Sequence, residues 1–242
     1  YYLNNTAKAR NLLETATGCE IKRFIFSSTA AVYGDPSRNP VTEDEPLKPL
    51  SPYGRSKLMV EWMLEDVAKA HDFNYVALRY FNVAGGDPKG RAGQSTPNAT
   101  HLIKVAAQAA LGLRPRMQLF GTDYPTPDGT CLRDYIHVSD LARAHMDALR
   151  YLRGGGGASL VCNAGYERGY SVKEVIETVK RVAGVDFPVE VSGRRPGDAA
   201  AIIAANGRIK ATLGWEPRHD DLEEIVRQAL AWERGLAARK RG

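Results

Sequence analysis

Long apolar runs, paired cysteines and clustered histidines are absent from this sequence of 242 residues. No segment approaches the roughly 18 apolar residues that a membrane helix needs, so we expect no membrane association. The opening residues have no signal-peptide core. The three cysteines include no Cys-x-x-Cys pair, and the five histidines lack metal-ligand spacing. These absences predict a soluble, cytoplasmic protein with reduced thiols and no metal site.

A basic surface of the kind that binds nucleic acid is also absent. The formal net charge is +5, but four of the positive charges lie at the C-terminal end, on Arg234, Arg239, Lys240 and Arg241. The rest of the chain is near neutral and has no basic stripe interleaved with aromatic residues. We therefore expect no nucleic-acid partner, and we interpret the basic end as solvated.

Helix and strand patterns alternate along the chain. The predicted helices cover residues 7–16, 52–71, 100–111, 139–152, 172–183 and 221–237. The predicted strands cover residues 23–27, 74–81, 118–120, 159–163 and 189–192. Asn4 or Asn5 is expected to cap the first helix and Gly18 to end it. The alternation predicts an α/β fold, and the short apolar strands favour a parallel sheet buried on both faces.

Tyr53 and Lys57 lie four residues apart at the start of a predicted helix, so their side chains share one face. A free phenol titrates at about pH 10, and a neighbouring cation stabilises the phenolate. We therefore expect Lys57 to lower the pKa of Tyr53 and so to make it an acid/base. Hydroxyl residues at 27–29 end a predicted strand, where ligands of open α/β sheets bind. Such a Tyr-Lys pair taken alone is more often structural.

The order of several motifs is more specific than this pair. Ser-Ser-Thr at 27–29 precedes Val-Tyr-Gly at 32–34, Ser-Pro-Tyr-Gly-x-Ser-Lys at 51–57 and Arg-Tyr-Phe-Asn at 79–82. In this order they resemble the extended short-chain dehydrogenase/reductase family that acts on nucleotide sugars. Residues 120–130 and 133–141 resemble the UDP-hexose 4-epimerases within it. The resemblance covers nearly the whole chain.

This resemblance implies part of a doubly wound parallel sheet of Rossmann type with a smaller C-terminal substrate-binding region. Residues 1–85 would form the later part of the NAD-binding domain. Residues 86–242 would mainly bind the nucleotide sugar, with some segments returning to the sheet. The implied reaction removes a hydride from C4 of UDP-galactose or UDP-glucose to bound NAD⁺. The hydride then returns to the opposite face of the 4-keto sugar.

The resemblance also implies a role for each matching residue. Tyr53 would be the acid/base on the C4 hydroxyl, Lys57 would hold the nicotinamide ribose, and Thr29 would bond the C4 oxygen. The implied cofactor-binding set is Asn4, Thr29, Tyr53, Lys57 and Tyr80. The implied substrate-binding set is Asn82, His101, Phe120, Arg133, Arg195, Asp198 and Ile202. Without the resemblance each of these residues has an ordinary structural interpretation, such as an ion pair between Arg133 and Asp134.

A homodimer is the implied assembly, formed through helices near residues 5–16 and 52–71. The second helix carries a wide apolar face, on Leu58, Met59, Trp62, Met63 and Val67. Such a face suits either the core or an interface.

The glycine-rich strand-turn-helix of a dinucleotide-binding fold is missing from the sequence. The glycine run at 154–157 follows a predicted helix and lacks phosphate-loop spacing, so we interpret it as a flexible connector. The chain therefore looks like a partial epimerase without its N-terminal portion. We expect it to bind NAD poorly or not at all, and to leave one sheet edge and two helix faces uncovered.

Alternatives remain open. Ala30 and Ala31 stand where related dehydratases carry an acid and a base, which argues against that activity. A UDP-pentose 4-epimerase and a decarboxylase stay possible. A UDP-N-acetylhexosamine 4-epimerase does too, since the size of Ile202 does not settle whether an N-acetylated sugar fits. A non-catalytic UDP-sugar-binding or dimerising remnant is the alternative from another class.

Overall fold

The computed structural model describes residues 1–155 and 158–239. Its α-helices are α1 (Lys8–Gly18), α2 (Pro52–Ala70), α3 (Leu102–Ala110), α4 (Val138–Arg153), α5 (Val172–Ala183), α6 (Gly207–Leu213) and α7 (Leu222–Arg239). Its strands are β1 (Arg23–Ser27), β2 (Asn74–Tyr80), β3 (Asn82–Ala84), β4 (Met117–Phe120), β5 (Leu132–His137), β6 (Leu160–Ala164), β7 (Gly169–Ser171), β8 (Val189–Ser192) and β9 (Ala201–Ile202). A π-helical segment, Tyr2–Ala7, leads into α1, and a 3₁₀ turn, Ala30–Val32, follows β1.

A parallel sheet in the order β1-β2-β6 organises the first half of the chain. Successive residues of a strand point to opposite faces. Tyr75 and Ala77 of β2 pack in one cluster with residues of α1 and α2. Val76 and Leu78 pack in the larger cluster, which includes residues of α4. Helices therefore cover both faces, and the predicted α/β fold class is confirmed.

Strand β6 comes from the second half of the chain, so a later segment returns to this sheet, as the resemblance implies. The division of the chain at residue 85 stays a prediction. The outer edge of β1 carries no strand within the described residues.

Two smaller sheets position the second half of the chain. Strand β5 pairs with β3, β7 and β9, while β4 pairs with β8. The sequence analysis missed β3, β5, β7, β9 and α6. These elements are short, and β5 contains the charged residue Asp134. The Asp134 carboxylate is buried and accepts backbone N–H groups of Tyr166, Glu167 and Ala204. Backbone N–H groups from distant parts of the chain therefore stabilise this polar strand, and no local hydrophobic pattern in the sequence indicates it.

The expected cap of the first helix is wrong. Asn4 and Asn5 lie inside the π-helical segment, whose N-cap residue is Tyr1. The Asn5 amide instead donates to Ser56 Oγ at 3.0 Å, which fixes the segment to α2. Gly18 is the last residue of α1 rather than the residue that stops it.

None of the described helices combines the length and apolar character needed to cross a membrane. Across residues 1–155 and 158–239, no group of three or more His, Cys, Asp or Glu side chains is placed to hold a metal ion. The predicted connector at 154–157 lies partly outside the described residues, as do Lys240 and Arg241 of the basic end.

Candidate active site

The start of α2 places Tyr53 in the first turn of that helix. Ser51 caps the helix by accepting a hydrogen bond from the backbone N–H of Gly54 at 3.1 Å, and Pro52 occupies the first helical position. A Cβ atom on Gly54 would lie only 2.5 Å from the carbonyl oxygen of Ala31. Glycine at this position therefore lets α2 pack closely against the turn that follows β1.

Close packing brings the Tyr53 phenol to the hydroxyl of Thr29. Burial raises the pKa of Tyr53, and a hydrogen bond from the Thr29 hydroxyl opposes that rise. Thr29 Oγ1 also accepts the backbone N–H of Ala31 at 3.1 Å, which orients the hydroxyl. The structure thus brings together two of the predicted catalytic groups.

Lys57, the third predicted catalytic residue, contacts the end of β1. Its Nζ donates to the carbonyl oxygen of Ser27 at 2.9 Å and lies 5.0 Å from the centroid of the Phe26 ring. Burial lowers the pKa of Lys57. The expectation that Lys57 lowers the pKa of Tyr53 is wrong in this structure, because the ammonium is directed to the Ser27 carbonyl and burial dominates the phenol.

Tyr80 ends β2 beside these groups. Burial is the main cause of its raised pKa, with the nearby Tyr53 adding to the rise and a hydrogen bond from the Ser27 hydroxyl opposing it. Ser27 Oγ also lies 2.9 Å from His145 Nε2, and His145 Nδ1 lies 2.9 Å from the carbonyl oxygen of Leu141. A carbonyl only accepts, so Nδ1 carries a hydrogen and donates it to Leu141. Sequence reasoning missed His145, because nothing local shows that α4 packs on β1.

A second polar group contains Phe120, Arg133, Arg195 and Asp198. Arg195 Nε donates to Asp198 Oδ2 at 2.9 Å, and its guanidinium lies 4.6 Å from the centroid of the Phe120 ring. Arg133 Nη2 lies 3.9 Å from Asp198 Oδ1. One carboxylate thus orients two guanidinium groups, and guanidinium groups suit the recognition of phosphates.

A cavity of about 1740 Å³ connects Tyr53 with this second group. The predicted site residues that line it are Tyr53, Asn82, His101, Phe120, Arg133, Arg195 and Asp198. Arg91, Arg114 and Arg116 also line it and add positive charge that the sequence analysis did not assign to the site. The cavity is large enough for an elongated polar ligand with a negatively charged centre.

Five predicted site residues do not line the cavity. Three of them, Thr29, Lys57 and Tyr80, are the neighbours of Tyr53 described above, and the other two are Asn4 and Ile202. Asn4 is exposed in the π-helical segment, next to Asn5, which contacts α2. Ile202 pairs with Arg133 between β9 and β5, and it is buried in a cluster with Phe81. The roles of Asn4 and Ile202, like those of the other predicted site residues, stay predictions.

The sequence model described as "NAD dependent epimerase/dehydratase family" matches residues 1–165. The UDP-glucose 4-epimerase of Azospirillum brasilense is 58% identical to this chain, over 98% of the chain and 68% of that protein. The solved UDP-glucose 4-epimerase of Brucella ovis in complex with NAD is 43% identical, with a TM-score of 0.91 over 96% of this chain and 71% of that one. The Bifidobacterium longum enzyme in complex with NAD⁺ and UDP is 37% identical, with a TM-score of 0.91 over 97% and 70%.

Proposed function

Because this chain belongs to the NAD dependent epimerase/dehydratase family, we propose that it interconverts UDP-galactose and UDP-glucose. The family resemblance, the Rossmann-type fold, NAD as cofactor and UDP-glucose 4-epimerase function predicted from the motifs are confirmed by these similarities. The observation that carries the substrate proposal is the cavity that Tyr53 shares with Arg133, Arg195 and Asp198.

The residues around Tyr53 fit the nicotinamide half of NAD. Thr29, Lys57 and Tyr80 lie at or just beyond the carboxyl ends of β1 and β2, where parallel sheets bind ligands. The Lys57 ammonium would donate to the hydroxyls of the nicotinamide ribose. NAD⁺, when bound, supplies the acceptor of the C4 hydride and NADH its donor.

Tyr53 would carry the proton that moves in each direction. In oxidation its phenolate takes the proton of the C4 hydroxyl while the C4–H bond breaks, which leaves a 4-keto sugar. In reduction the phenol returns that proton to the C4 oxygen as the opposite face of C4 receives the hydride. Burial disfavours the phenolate, so the hydrogen bond from the Thr29 hydroxyl supplies stabilisation where the charge forms.

The second polar group would hold the UDP moiety during this exchange. Arg133 and Arg195 would donate to diphosphate oxygens, and Asp198 would accept from ribose hydroxyls. The Phe120 ring, already covered by the Arg195 guanidinium, offers apolar surface beside them. Because these residues, and not Tyr53, would hold the nucleotide, the sugar would be free to present either face to Tyr53.

Replacing Arg195 by Met is expected to raise the Kd for UDP about 10- to 100-fold, because a charged hydrogen-bond donor to phosphate is lost. Arg194 is a matched control, since it also covers an aromatic ring, that of Tyr124, and pairs with Asp123 at 2.8 Å. Arg194 does not line the cavity. Isothermal titration with UDP should therefore show the loss for Arg195→Met but not for Arg194→Met. Equal losses would remove Arg195 from the proposed site.

Incubation of the protein with UDP-galactose and saturating NAD⁺ tests the activity directly, with the cofactor in excess because weak NAD binding is expected. We expect UDP-glucose to form without net accumulation of NADH, because the hydride returns to the same sugar. Release of carbon dioxide from a UDP-uronate, with no interconversion of the hexoses, would overturn the proposal in favour of a decarboxylase.

We also propose a cytoplasmic homodimer formed through α1 and α2. Leu12 of α1 and Trp62 of α2 are large apolar side chains that are 55% and 54% exposed. Exposed apolar surface of this kind is typical of interaction sites. The three cysteines are free thiols, which is typical of a reducing compartment.

Trp62→Glu is expected to convert the dimer to a monomer, because a charge would be buried at the proposed interface. Met146→Glu is the matched control, since Met146 is 50% exposed on α4. Native mass spectrometry of both variants measures the outcome. A Trp62→Glu protein that stays dimeric would place the interface elsewhere.

A further inference from the structure

Gln94 lies in the segment between β3 and α3, and its backbone carbonyl holds that segment to two helices. The oxygen accepts hydrogen bonds from Lys104 Nζ on α3 at 2.7 Å and from Trp232 Nε1 on α7 at 3.2 Å. Gln94, Lys104 and Trp232 all line the cavity that contains Tyr53. Hydrogen bonds from α3 and from α7 therefore set the position of Gln94 in the cavity wall.

The groups that hold Gln94 are themselves fixed. Lys104 forms an ion pair with Glu233, and the two residues are 7% and 4% exposed. Gln108 donates a further hydrogen bond to Glu233 at 3.1 Å. A Cβ atom on Gly93 would lie 2.5 Å from the Trp232 indole, so glycine allows the backbone to pack directly on that ring. The backbone at Gln94 is thus held by two hydrogen bonds from groups that are themselves packed and paired.

The side chain of Gln94 contacts His101, a predicted substrate-binding residue. Gln94 Nε2 lies 2.7 Å from His101 Nδ1. An amide nitrogen only donates, so Nδ1 accepts and the neutral ring carries its hydrogen on Nε2. His101 is the N-cap residue of α3, but its side chain makes no capping bond. The Gln94 amide, rather than the helix, therefore supplies the hydrogen bond that orients this exposed ring.

We infer that Gln94 is a positioning residue for the nucleotide: it holds His101 in the tautomer whose Nε2–H donates to an acceptor oxygen of UDP. This inference rests on the proposed function, which places UDP in the cavity beside His101. Gln94 acts through the imidazole and makes no contact with UDP of its own. The opposite tautomer would present a lone pair to the ligand oxygen and would repel it.

Gln94→Met tests the side-chain amide independently of the backbone contacts. It keeps the backbone carbonyl and a side chain of similar length, and it removes the amide donor. We expect the Kd for UDP to rise about 3- to 10-fold, as for loss of one aligned hydrogen bond. His101→Ala should raise it at least as much, and the double variant should bind no worse than His101→Ala alone. Ser95→Ala is the control, since Ser95 is exposed on the same segment and its hydroxyl contacts only the backbone of Gly93.

Ring ¹⁵N chemical shifts of His101 report the tautomer without reference to substrate. We expect the Nε2–H form in the unaltered protein, and a mixture of tautomers in Gln94→Met. An unchanged tautomer, an unchanged Kd in Gln94→Met, or additive losses in the double variant would each overturn the inference. An unchanged Kd in His101→Ala would instead reject the substrate role of His101 in the proposed function. The ¹⁵N shifts would still test whether Gln94 sets the tautomer of His101.

Discussion

Tyr53→Phe is expected to lower kcat for the interconversion of UDP-hexoses about 100-fold or more, and to leave the Kd for UDP within about twofold. Phenylalanine keeps the ring at the start of α2 but removes the oxygen that, in the proposed function, exchanges a proton with the C4 hydroxyl. The proposed nucleotide contacts are made by other residues of the cavity lining, Arg195 and Asp198. Steady-state rates and titration with UDP separate the two effects.

Tyr151→Phe is the matched control for this variant. The Tyr151 hydroxyl donates to the carbonyl oxygen of Ala158 at 3.1 Å, on the opposite end of α4 from the site. We expect its kcat to match that of the unaltered protein. If Tyr53→Phe turned over at the same rate as Tyr151→Phe, the phenol would have no part in the chemistry.

Arg79→Met is expected to lower the free energy of unfolding by about 3–5 kcal/mol, which is the usual cost of removing one partner of a buried ion pair. The side chains of Arg79 and Glu61 are 5% and 6% exposed, and Nη2 lies 2.6 Å from Oε2. Arg79 also donates to the hydroxyl of Tyr33 at 3.0 Å. After the substitution the Glu61 carboxylate would remain buried with the Ser28 hydroxyl as its main partner. Urea unfolding monitored by circular dichroism measures the loss.

Two further variants test whether the unpaired charge causes this loss. Arg10→Met removes the same charge from an exposed pair with Glu14 and should cost at most about 1 kcal/mol. Adding Glu61→Leu to Arg79→Met removes the stranded carboxylate and should recover part of the stability. No recovery in the double variant would show that packing, and not the buried charge, sets the cost.

Local sequence signals predicted much of the fold. The helix α5 and the strands β1 and β8 were placed at their observed bounds, because apolar periodicity and capping residues act over a few positions. The capping box of Ser171 and Glu174 marks the start of α5 in this way. The strand β5 was missed because its buried Asp134 is stabilised by backbone from residues far along the chain.

The candidate site likewise contains residues that local motifs predicted and residues that they could not predict. Motif order led to Tyr53 and the residues around Asp198, which the structure gathers around one cavity, and to Thr29 beside Tyr53. His145 and Gln94 carry no motif, and their contacts depend on how α4 meets β1 and how α7 meets the segment before α3. The prediction that the Tyr53 pKa is lowered was also wrong. Helical spacing shows which residue neighbours the phenol, but it does not show that the phenol is buried.

The return of β6 to the sheet also sets an order of assembly during synthesis. The central strand β2 has a free edge until residue 164 has left the ribosome, and β5 lacks its partner β9 until residue 202 has followed. Pairings between distant segments form slowly and expose strand edges meanwhile. The end of β2 that carries Tyr80 therefore gains its neighbour Ala164 only after all of the chain between β2 and β6 has been made.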